Sequence, residues 1–457
     1  MNNSEISPGI QKLRDFFLTN ETKDVAYRIA ALKRLRHTIK KQETAIFDAL
    51  FEDLNKSDFE AYATEVSLVL HEIDLNIRHL RKWSKPERIR TPLLFFPSKS
   101  KIYKEPYGVV LIIAPWNYPF QLLMSPLVAA VGAGNCVALK TSPNAPATAL
   151  IMEKIVEEVF TKEHVTIFHG NREVNQALLS ERFDYIFFTG SPSLGKVVME
   201  AAAKHLTPIT LELGGKSPCI VDEDADLAIA ARRIVWGKTI NAGQTCIAPD
   251  YLMVHRKVKA DFVYELKQAI TAMFGENPHD SSDYPAIVSS VAMRRLISYL
   301  EKGDIIIGGK YEEDDHYMEP SVIENLPADA PILNEEIFGP IFPLMEFDAI
   351  EEVIDYVKQH EKPLALYFFS NNKKHQQRII RETSSGGMCI NDTLIHVANP
   401  KLPFGGVGNS GMGHYHGKYG FETFTHLKSV VTSSFMLDMK VKYPPYEGKL
   451  SRFKRFL

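Results

Sequence analysis

Residues 187–197, FFTGSPSLGKV, decide the fold class, because an apolar strand runs here into a turn of small residues and then into a helix. The strand at 185–189 is one of four short apolar runs that alternate with helical patterns, the others being 109–114, 136–140 and 165–169. Such alternation is typical of a parallel sheet with crossover helices, in which ligands bind at the carboxyl ends of the strands. We therefore predict an α/β protein with a Rossmann-like nucleotide-binding domain.

The alternation continues after residue 208 and predicts a second α/β domain, the catalytic domain, over residues 209–400, beginning with a strand at Ile209–Leu213. The dinucleotide-binding domain is predicted to take residues 1–81 and 104–208, with long amphipathic packing helices at Asp24–Leu54 and Ala61–Trp83. A small bridging or oligomerisation arm and tail take residues 82–103 and 401–457. Within the arm, Leu93–Phe96 and Lys99–Tyr103 are predicted to form a hairpin.

Composition excludes several classes of protein. The formal net charge of -3 over 457 residues gives no reason to expect nucleic acid as a partner. No apolar run approaches membrane-spanning length, and the first residues lack the pattern of a secretory or transit signal. The 4 cysteines form no C-x-x-C pair, and no His, Cys and carboxylate set has metal-ligand spacing, so we expect no metal site and a cytoplasmic location.

One of these cysteines, Cys246, lies in NAGQTCIAPD, residues 241–250, where a predicted helix, Asp224–Thr239, gives way to a loop. A free cysteine is usually a small buried hydrophobe. Here the neighbours are Gly, Gln, Thr and Pro, which favour an accessible thiol at a helix end. We expect Cys246 to be an exposed nucleophile.

The turn in FFTGSPSLGKV is a candidate phosphate site, because backbone N–H groups at the start of a helix attract anions. It also matches the P-loop pattern G-x-x-x-x-G-K, so an ATPase is an alternative, although Val197 replaces the Ser or Thr that would bind magnesium. Lys140, which ends a strand in ALKTSP, could reach a ribose hydroxyl or a phosphate, or could simply be a solvated turn lysine.

Four polar residues in three motifs are further candidates for the site. Asn117 in PWNYP could donate to an oxyanion, or could form an Asx turn. Glu212 in LELGGKSP lies on a strand that otherwise has core character, so it could be a general base with a raised pKa, or could pair with a buried cation. Glu335 and Glu336 in EEIFGP face a cofactor or begin a surface helix.

Together these stretches resemble the aldehyde dehydrogenase superfamily, in which PWNYP, ALKTSP, FTGSPSLGK, LELGGKSP, NAGQTC, EEIFGP and PFGGVGNSG occur in this order. They span residues 115–411 of the chain. The short amino terminus, GNSGMGHYHGK and NAGQTCIAPDY are most similar to the class 3 branch, which handles fatty and aromatic aldehydes.

The resemblance implies oxidation of an aldehyde to the carboxylic acid with NAD or NADP. It implies that Cys246 adds to the carbonyl carbon, that Asn117 and the Cys246 N–H hold the oxyanion, and that Glu212 activates the water that hydrolyses the thioester. The dinucleotide would contact Lys140, Gly190, Ser191, Gly195, Glu336 and Phe338.

One departure from the family pattern concerns the cofactor. Many NAD-restricted members carry a glutamate three residues after the lysine, where this chain has Pro143, so no acidic group is present there to repel a 2′-phosphate. The choice between NAD and NADP stays open. Within the superfamily, the alternative is a CoA-acylating enzyme, against which Glu212 argues. A structural protein that keeps the fold without activity is a further alternative, which the retained Cys246, Asn117 and Glu212 disfavour.

The tail, residues 440–457, carries basic residues at 440, 442, 449, 452, 454 and 455 against one acid, Glu447. Some class 3 relatives end in a hydrophobic anchor, which this tail lacks. Basic residues attract a chain to anionic membranes by about 1 kcal/mol each before screening. We expect a homodimer whose contact with membranes through the tail is at most weak and peripheral.

Overall fold

The computed structural model describes residues 5–92, 95–438 and 440–454. Its helices are α1 (Ile6–Leu18), α2 (Val25–Lys41), α3 (Glu43–Leu54), α4 (Asp58–Ala61), α5 (Ser67–Trp83), α6 (Pro119–Ala133), α7 (Pro146–Val159), α8 (Arg172–Ser180), α9 (Pro192–Ala203), α10 (Leu227–Thr239), α11 (Lys259–Phe274), α12 (Ser290–Leu300), α13 (Pro331–Asn334), α14 (Ile350–Gln359), α15 (Lys373–Glu382), α16 (Ile395–Ala398), α17 (Gly417–Thr423) and α18 (Leu450–Phe453).

The strands, in chain order, are β1 (Glu87–Ile89), β2 (Lys99–Pro106), β3 (Val109–Ile113), β4 (Cys136–Lys140), β5 (Val165–Phe168), β6 (Tyr185–Gly190), β7 (Ile209–Leu213), β8 (Pro218–Val221), β9 (Tyr251–His255), β10 (Asp304–Ile307), β11 (Tyr311–Glu312), β12 (Tyr317–Met318), β13 (Ser321–Glu324), β14 (Ile341–Phe347), β15 (Ala365–Phe369), β16 (Gly387–Ile390), β17 (Gly411–Met412) and β18 (Thr425–Thr432).

The first sheet confirms the α/β class. Within the described residues it has six strands in the order β17-β7-β6-β3-β4-β5, all parallel except β17. Strands β3 and β4 are buried at every residue, because helices cover both faces of a parallel sheet. Helix α6, which follows β3, is buried over its whole length and forms the centre of the larger core.

The structure places one strand in a different sheet from the one predicted. Ile209–Leu213 was assigned to the start of the second domain, yet β7 pairs with β6 in parallel, with Glu212 opposite Thr189. Periodicity identifies a strand but not its partner, which is chosen by contacts distant in sequence. The domain boundaries as a whole stay a prediction.

The second sheet is formed by strands that follow β7 in the chain. Its order is β10-β13-β14-β9-β8-β15-β16 across the described residues, and only the β10 pairing is antiparallel. The strands β13 and β14 were not predicted. In β14, Pro343 interrupts the apolar run, and proline is normally excluded from a central strand because it has no N–H to donate.

A third, antiparallel sheet joins β1, β2 and β18. The predicted hairpin strand at Leu93–Phe96 is wrong where it can be checked, because Phe95 and Phe96 lie in a turn and the partner of β2 is β1. Leu93 and Leu94 lie outside the described residues, as do the last three residues of the basic tail. Among the described helices, none combines the length and the apolar character that crossing a membrane requires.

Two amphipathic helices predicted near the amino terminus differ in their boundaries. Asp24–Leu54 is divided at Gln42 into α2 and α3. The second prediction, Ala61–Trp83, begins earlier, with α4 and a π-helical turn at Tyr62–Val66 before α5. A π-helical turn often marks a functional position in a helix.

Candidate active site

Four predicted site residues lie at the carboxyl edge of the first sheet. Asn117 follows β3, Lys140 ends β4, Gly190 ends β6, and Glu212 lies near the end of β7. Parallel strands present their carboxyl ends at one edge, so the topology places these residues on the same side of the sheet. Cys246 comes from the other sheet, in the loop between α10 and β9.

The loop before Cys246 has an unusual backbone conformation. Asn241, Ala242 and Gly243 all have positive φ, at 51°, 50° and 76°. A side chain at Gly243 would place its Cβ 2.4 Å from the carbonyl oxygen of Gly339, so only glycine fits this close approach. The Gln244 side chain ties the loop to another segment, since its Nε2 donates to Ala286 O at 2.9 Å.

Cys246 is half-buried, whereas the sequence predicted an exposed thiol. Burial raises the pKa of the thiol well above its usual value, and the nearby carboxylates of Glu336 and Glu212 raise it further. The backbone N–H groups of Cys246 and Ile247 act in the opposite direction. The resting group is therefore a thiol at neutral pH, and a proton acceptor is needed to make it a nucleophile.

Glu212 has the environment of such an acceptor. The residue is 3% exposed, and neither carboxylate oxygen has a hydrogen-bond partner within the described ranges. Burial raises its pKa well above the usual value. Thr189, which pairs with Glu212 across the two strands, also has a buried hydroxyl that forms no hydrogen bond with any described residue. No buried cation neutralises Glu212 in the described part of the chain, which removes the ion-pair alternative.

Asn117 is 3% exposed and lies next to the loop that precedes Cys246. Its Nδ2 donates to the carbonyl oxygen of Gln244 at 3.0 Å. Its own carbonyl oxygen accepts from Asn241 Nδ2 at 2.8 Å and from Lys56 Nζ at 2.9 Å. The Asn117 side chain is thus held beside Gln244, which precedes Cys246 by two residues. An amide nitrogen carries two N–H groups, so one of them is left for another acceptor.

A cavity of about 560 Å³ opens beside the thiol, and we call it the thiol cavity. Its walls are mainly aromatic and aliphatic. They include Phe59, Leu68, Tyr118, Leu122, Trp236, Ile240, Cys246, Ile247, Met273, Phe274, Leu394, Val397, Phe404 and Tyr415. Tyr118 donates to or accepts from Thr245 Oγ1 at 2.6 Å, which joins the two loops at the cavity wall.

A second cavity, of about 880 Å³, lies along the helix that follows β6, and we call it the Glu336 cavity. Ser191 and Glu336 both line it. Ser191 caps α9, accepting from the Leu194 N–H at 3.4 Å, so the amino end of this helix faces the cavity. Gly195 packs so tightly that a Cβ would lie 2.8 Å from Leu213, which brings the helix close to the sheet.

Glu336 faces the cavity and is not the start of a surface helix. Its Oε2 would lie 2.0 Å from a Cβ on Gly214, and its Oε1 has no partner in the described part of the chain. Burial and then the neighbouring Asp250 raise its pKa to about 8, while Lys216 acts to lower it. Glu335, by contrast, is exposed and accepts from Tyr299 at 2.7 Å.

Lys140 and Phe338 do not line either cavity. Lys140 is 1% exposed, and its Nζ donates to the backbone carbonyls of Thr141 at 2.6 Å and Gly170 at 2.8 Å. Burial lowers its pKa to about 8. The solvated-turn alternative is therefore wrong. Phe338 has a positive φ of 51° and contacts Trp116 edge to face, with ring centroids 5.5 Å apart.

Comparison with known proteins decides the family. The model of the "Aldehyde dehydrogenase family" matches residues 2–430. The chain belongs to the aldehyde dehydrogenase family. This dehydrogenase oxidises an aldehyde with NAD or NADP, and the P-loop ATPase alternative is wrong.

Similar proteins agree with this assignment. The dehydrogenase is 47% identical over 443 residues to the 4,4'-diaponeurosporen-aldehyde dehydrogenase of Staphylococcus aureus, with 96% of each chain covered. It is 41% identical over 451 residues to the dimeric NADP-preferring aldehyde dehydrogenase of Rattus norvegicus, covering 98% of this chain and 100% of the relative. A substrate-bound structure of Staphylococcus aureus AldH superposes with a TM-score of 0.97 at 46% identity, over 99% of both chains.

Several residues at the site of this dehydrogenase were not predicted as site residues. Tyr118 and Tyr415 lie inside quoted motifs but received no role, although the pKa of the Tyr415 phenol is raised by burial and by nearby Glu212 and Cys246. Gln121 and Trp236 line the thiol cavity without any motif. Only the folded chain shows their role, because Tyr118 and Gln121, Trp236 and Tyr415 come from three separate segments that meet at the thiol cavity.

Proposed function

We propose that this dehydrogenase oxidises medium- or long-chain aliphatic or aromatic aldehydes, with Cys246 as nucleophile, Asn117 as oxyanion donor and Glu212 as general base. The observation that carries the proposal is the thiol cavity, about 560 Å³ with mainly apolar walls and Cys246 among them. A carbon chain or ring gains about 25 cal/mol per Å² buried against such walls. The name of the Staphylococcus aureus relative, 4,4'-diaponeurosporen-aldehyde dehydrogenase, supports this proposal.

In the first step, Glu212 accepts the proton of the Cys246 thiol, and the thiolate adds to the carbonyl carbon. The carbonyl oxygen takes the electron pair and accepts hydrogen bonds from Asn117 Nδ2 and the Cys246 N–H. NAD(P), when bound, supplies the acceptor for the hydride that leaves this carbon. The acyl group is then held on Cys246 as a thioester.

Glu212 releases the first proton to solvent before the second half of the reaction. It then accepts a proton from a water molecule whose oxygen attacks the thioester carbonyl carbon. The carbon–sulfur bond breaks, the carboxylic acid leaves, and the Cys246 thiolate takes the proton back from Glu212. The unpaired oxygens of Glu212 and its raised pKa support this role, because a base must take up a proton readily near neutral pH.

The residues of the Glu336 cavity fit a dinucleotide. The amino end of α9, at Gly190, Ser191 and Gly195, suits the pyrophosphate. The unpartnered Oε1 of Glu336 suits a ribose hydroxyl, which would satisfy a buried acceptor. We also assign Lys140 and Phe338 to the same cofactor, on the family motifs ALKTSP and EEIFGP alone, because neither residue lines the cavity. The exposed Pro143 presents no acid to a 2′-phosphate, so we propose that both NAD and NADP serve.

We further propose that the enzyme is a cytoplasmic homodimer whose tail makes at most weak, salt-sensitive contact with anionic membranes. The rat relative is named dimeric, and β18 with β2 forms an arm. Side chains before and within the tail, such as Phe435, Met436 and Tyr446, are exposed. Sedimentation with anionic liposomes at low and high salt, with and without residues 440–457, tests the membrane contact. Salt-resistant pelleting of the truncated chain would contradict it. Light scattering after gel filtration tests the dimer.

The test of the whole proposal is a panel of neutral aliphatic aldehydes of increasing chain length and of aromatic aldehydes, each with NAD and with NADP. We expect kcat/KM to rise with apolar surface and free acid to be the product. Addition of CoA should leave the rate and the product unchanged. A requirement for CoA, with an acyl-CoA as product, would establish the CoA-acylating alternative.

A further inference from the structure

Residues 56–65 contain a group of charged side chains that none of the family motifs includes. They include all of α4 and most of the π-helical turn at Tyr62–Val66. Lys56 and Glu65 have fully buried side chains, 0% exposed, and Lys56 Nζ lies 2.6 Å from Glu65 Oε1. Glu60, five residues before Glu65, is half-buried and lines the thiol cavity.

The buried pair holds the loop that contains Asn117. Lys56 Nζ donates to the Asn117 carbonyl oxygen at 2.9 Å and lies 4.0 Å from the centroid of the Tyr118 ring. Glu65 Oε2 accepts from the backbone N–H groups of Phe120 at 2.8 Å and Gln121 at 3.1 Å. The backbone is thus fixed both at Asn117 and at the first turn of α6.

Glu60 holds the second loop. Its Oε1 accepts from the backbone N–H of Asn241 at 2.8 Å, at the residue where the left-handed turn before Cys246 begins. Asn241 Nδ2 donates to the carbonyl oxygens of Asn117 at 2.8 Å and Gln244 at 3.1 Å. One short helical segment therefore contacts both the loop of the oxyanion donor and the loop of the nucleophile.

A buried Lys–Glu pair is not required for stability, because apolar side chains of similar volume fill such a site without removing charges from water. An apolar pair, however, could not hydrogen-bond the Asn117 carbonyl or the two N–H groups at the start of α6. The contacts of Lys56 and Glu65 therefore favour a geometric role over a purely stabilising one.

We propose that Lys56, Glu60 and Glu65 are positioning residues that fix the Asn117 loop relative to the Cys246 loop, so that the oxyanion of the substrate meets its donors. This inference rests on the proposed function, because it needs Asn117 as the oxyanion donor. A displacement of about 1 Å at such a site can lower the rate about 100-fold.

The first experiment replaces the buried pair by neutral residues, Lys56→Met with Glu65→Gln, where the glutamine retains an acceptor for the N–H groups of α6. The matched control is Lys259→Met with Glu324→Gln, a Lys–Glu pair with 25% and 19% exposed side chains that links α11 to β13. We expect kcat for aldehyde oxidation to fall about 30-fold in the first variant, by less than twofold in the control, with the Kd for NAD unchanged in both. Equal rates in the two variants would overturn the proposal.

The second experiment asks whether Lys56 acts through Asn117. Lys56→Met and Asn117→Ala are measured singly and together. Residues that act on one interaction are non-additive, so we expect Lys56→Met to lower kcat less than twofold further in the Asn117→Ala enzyme. Full multiplication of the two losses would overturn the inference alone. Full activity of Asn117→Ala would overturn the oxyanion role in the proposed function and this inference with it.

The third experiment uses the more exposed Glu60, whose replacement leaves the buried pair intact. Glu60→Gln keeps an oxygen that can accept from the Asn241 N–H, whereas Glu60→Leu does not. We expect kcat of Glu60→Gln to exceed that of Glu60→Leu at least fivefold under saturating aldehyde. Equal kcat values for the two variants would contradict the positioning role of Glu60.

Discussion

The thiol cavity and the Glu336 cavity differ in how many charged side chains line them. Among the described residues, the charged lining of the thiol cavity is confined to Glu60 and Asp283. The lining of the Glu336 cavity includes Lys216, Arg295, Glu335, Glu336, Glu361 and Lys362. An apolar wall binds an uncharged carbon chain, whereas polar walls and a helix end suit a phosphate-bearing nucleotide. The difference supports the proposal that the thiol cavity binds the aldehyde and the Glu336 cavity binds the dinucleotide.

The two cavities are nevertheless coupled at Cys246. The thiol lines the apolar cavity, yet the carboxylate of Glu336, from the other cavity, is the largest influence on its pKa after burial. The close approach of Gly243 to Gly339 brings the two loops together. Substitutions can therefore test whether the two cavities have separate functions and whether Glu336 affects the reactivity of Cys246.

The largest expected effect is a loss of catalysis that leaves cofactor binding intact. Cys246→Ala removes the group that makes the covalent bond, so aldehyde oxidation should fall by about 10⁴-fold or more. The Kd for NAD, measured by protein fluorescence quenching, should change less than twofold because the Glu336 cavity is untouched. Substantial turnover in this variant would refute the nucleophile, and a large loss of NAD affinity would refute the separation of the cavities.

Glu212→Gln should slow both halves of the reaction, because Glu212 accepts the proton of the thiol and later that of the water. Glutamine keeps the shape but cannot accept a proton, and general bases contribute about 10²–10⁴-fold. We expect release of at most one equivalent of reduced cofactor, more slowly than in wild type, followed by still slower turnover. Intact-protein mass spectrometry should then find an acyl group on Cys246. Steady-state rates equal to wild type without an adduct would show that another residue is the base.

Pro143→Glu should alter only the cofactor side. A carboxylate at this exposed position would repel a 2′-phosphate, so kcat/KM for NADP should fall about tenfold while the value for NAD stays within twofold. The KM for the aldehyde should not change. Equal losses with both cofactors would mean that position 143 does not face the adenosine ribose.

The smallest expected effect concerns the coupling. Glu336→Gln removes a carboxylate that raises the pKa of the Cys246 thiol, so that pKa should fall and more thiolate should be present at pH 9, above the pKa of about 8 at which Glu336 loses its proton. Without cofactor, alkylation of Cys246 by iodoacetamide should be about threefold faster than in wild type. The exposed neighbour Glu335 supplies the matched control, Glu335→Gln, which should react at the wild-type rate. An unchanged or slower rate in Glu336→Gln would contradict the coupling.

Local pattern determined much of the fold. The strands Cys136–Lys140 and Ile209–Leu213 have the predicted boundaries, because each is an apolar run between turn residues. Residues 321–324 and 341–347 were missed, since the first strand is short and Pro343 interrupts the second. Ile209–Leu213 was predicted as a strand but assigned to the wrong sheet, because the local periodicity of a strand does not specify its partner.

The sequence by itself determined the chemistry that ordered motifs carry: a cysteine on a small-residue turn, a glutamate on a core strand and an amide after a strand. Tertiary structure decided what surrounds them. It left Cys246 half-buried, left the oxygens of Glu212 without partners among the described residues, and brought Lys56 to Asn117. These residues lie in segments 34 or more residues apart. Local sequence specifies backbone preference, whereas burial and charge depend on which distant segments meet when the chain folds.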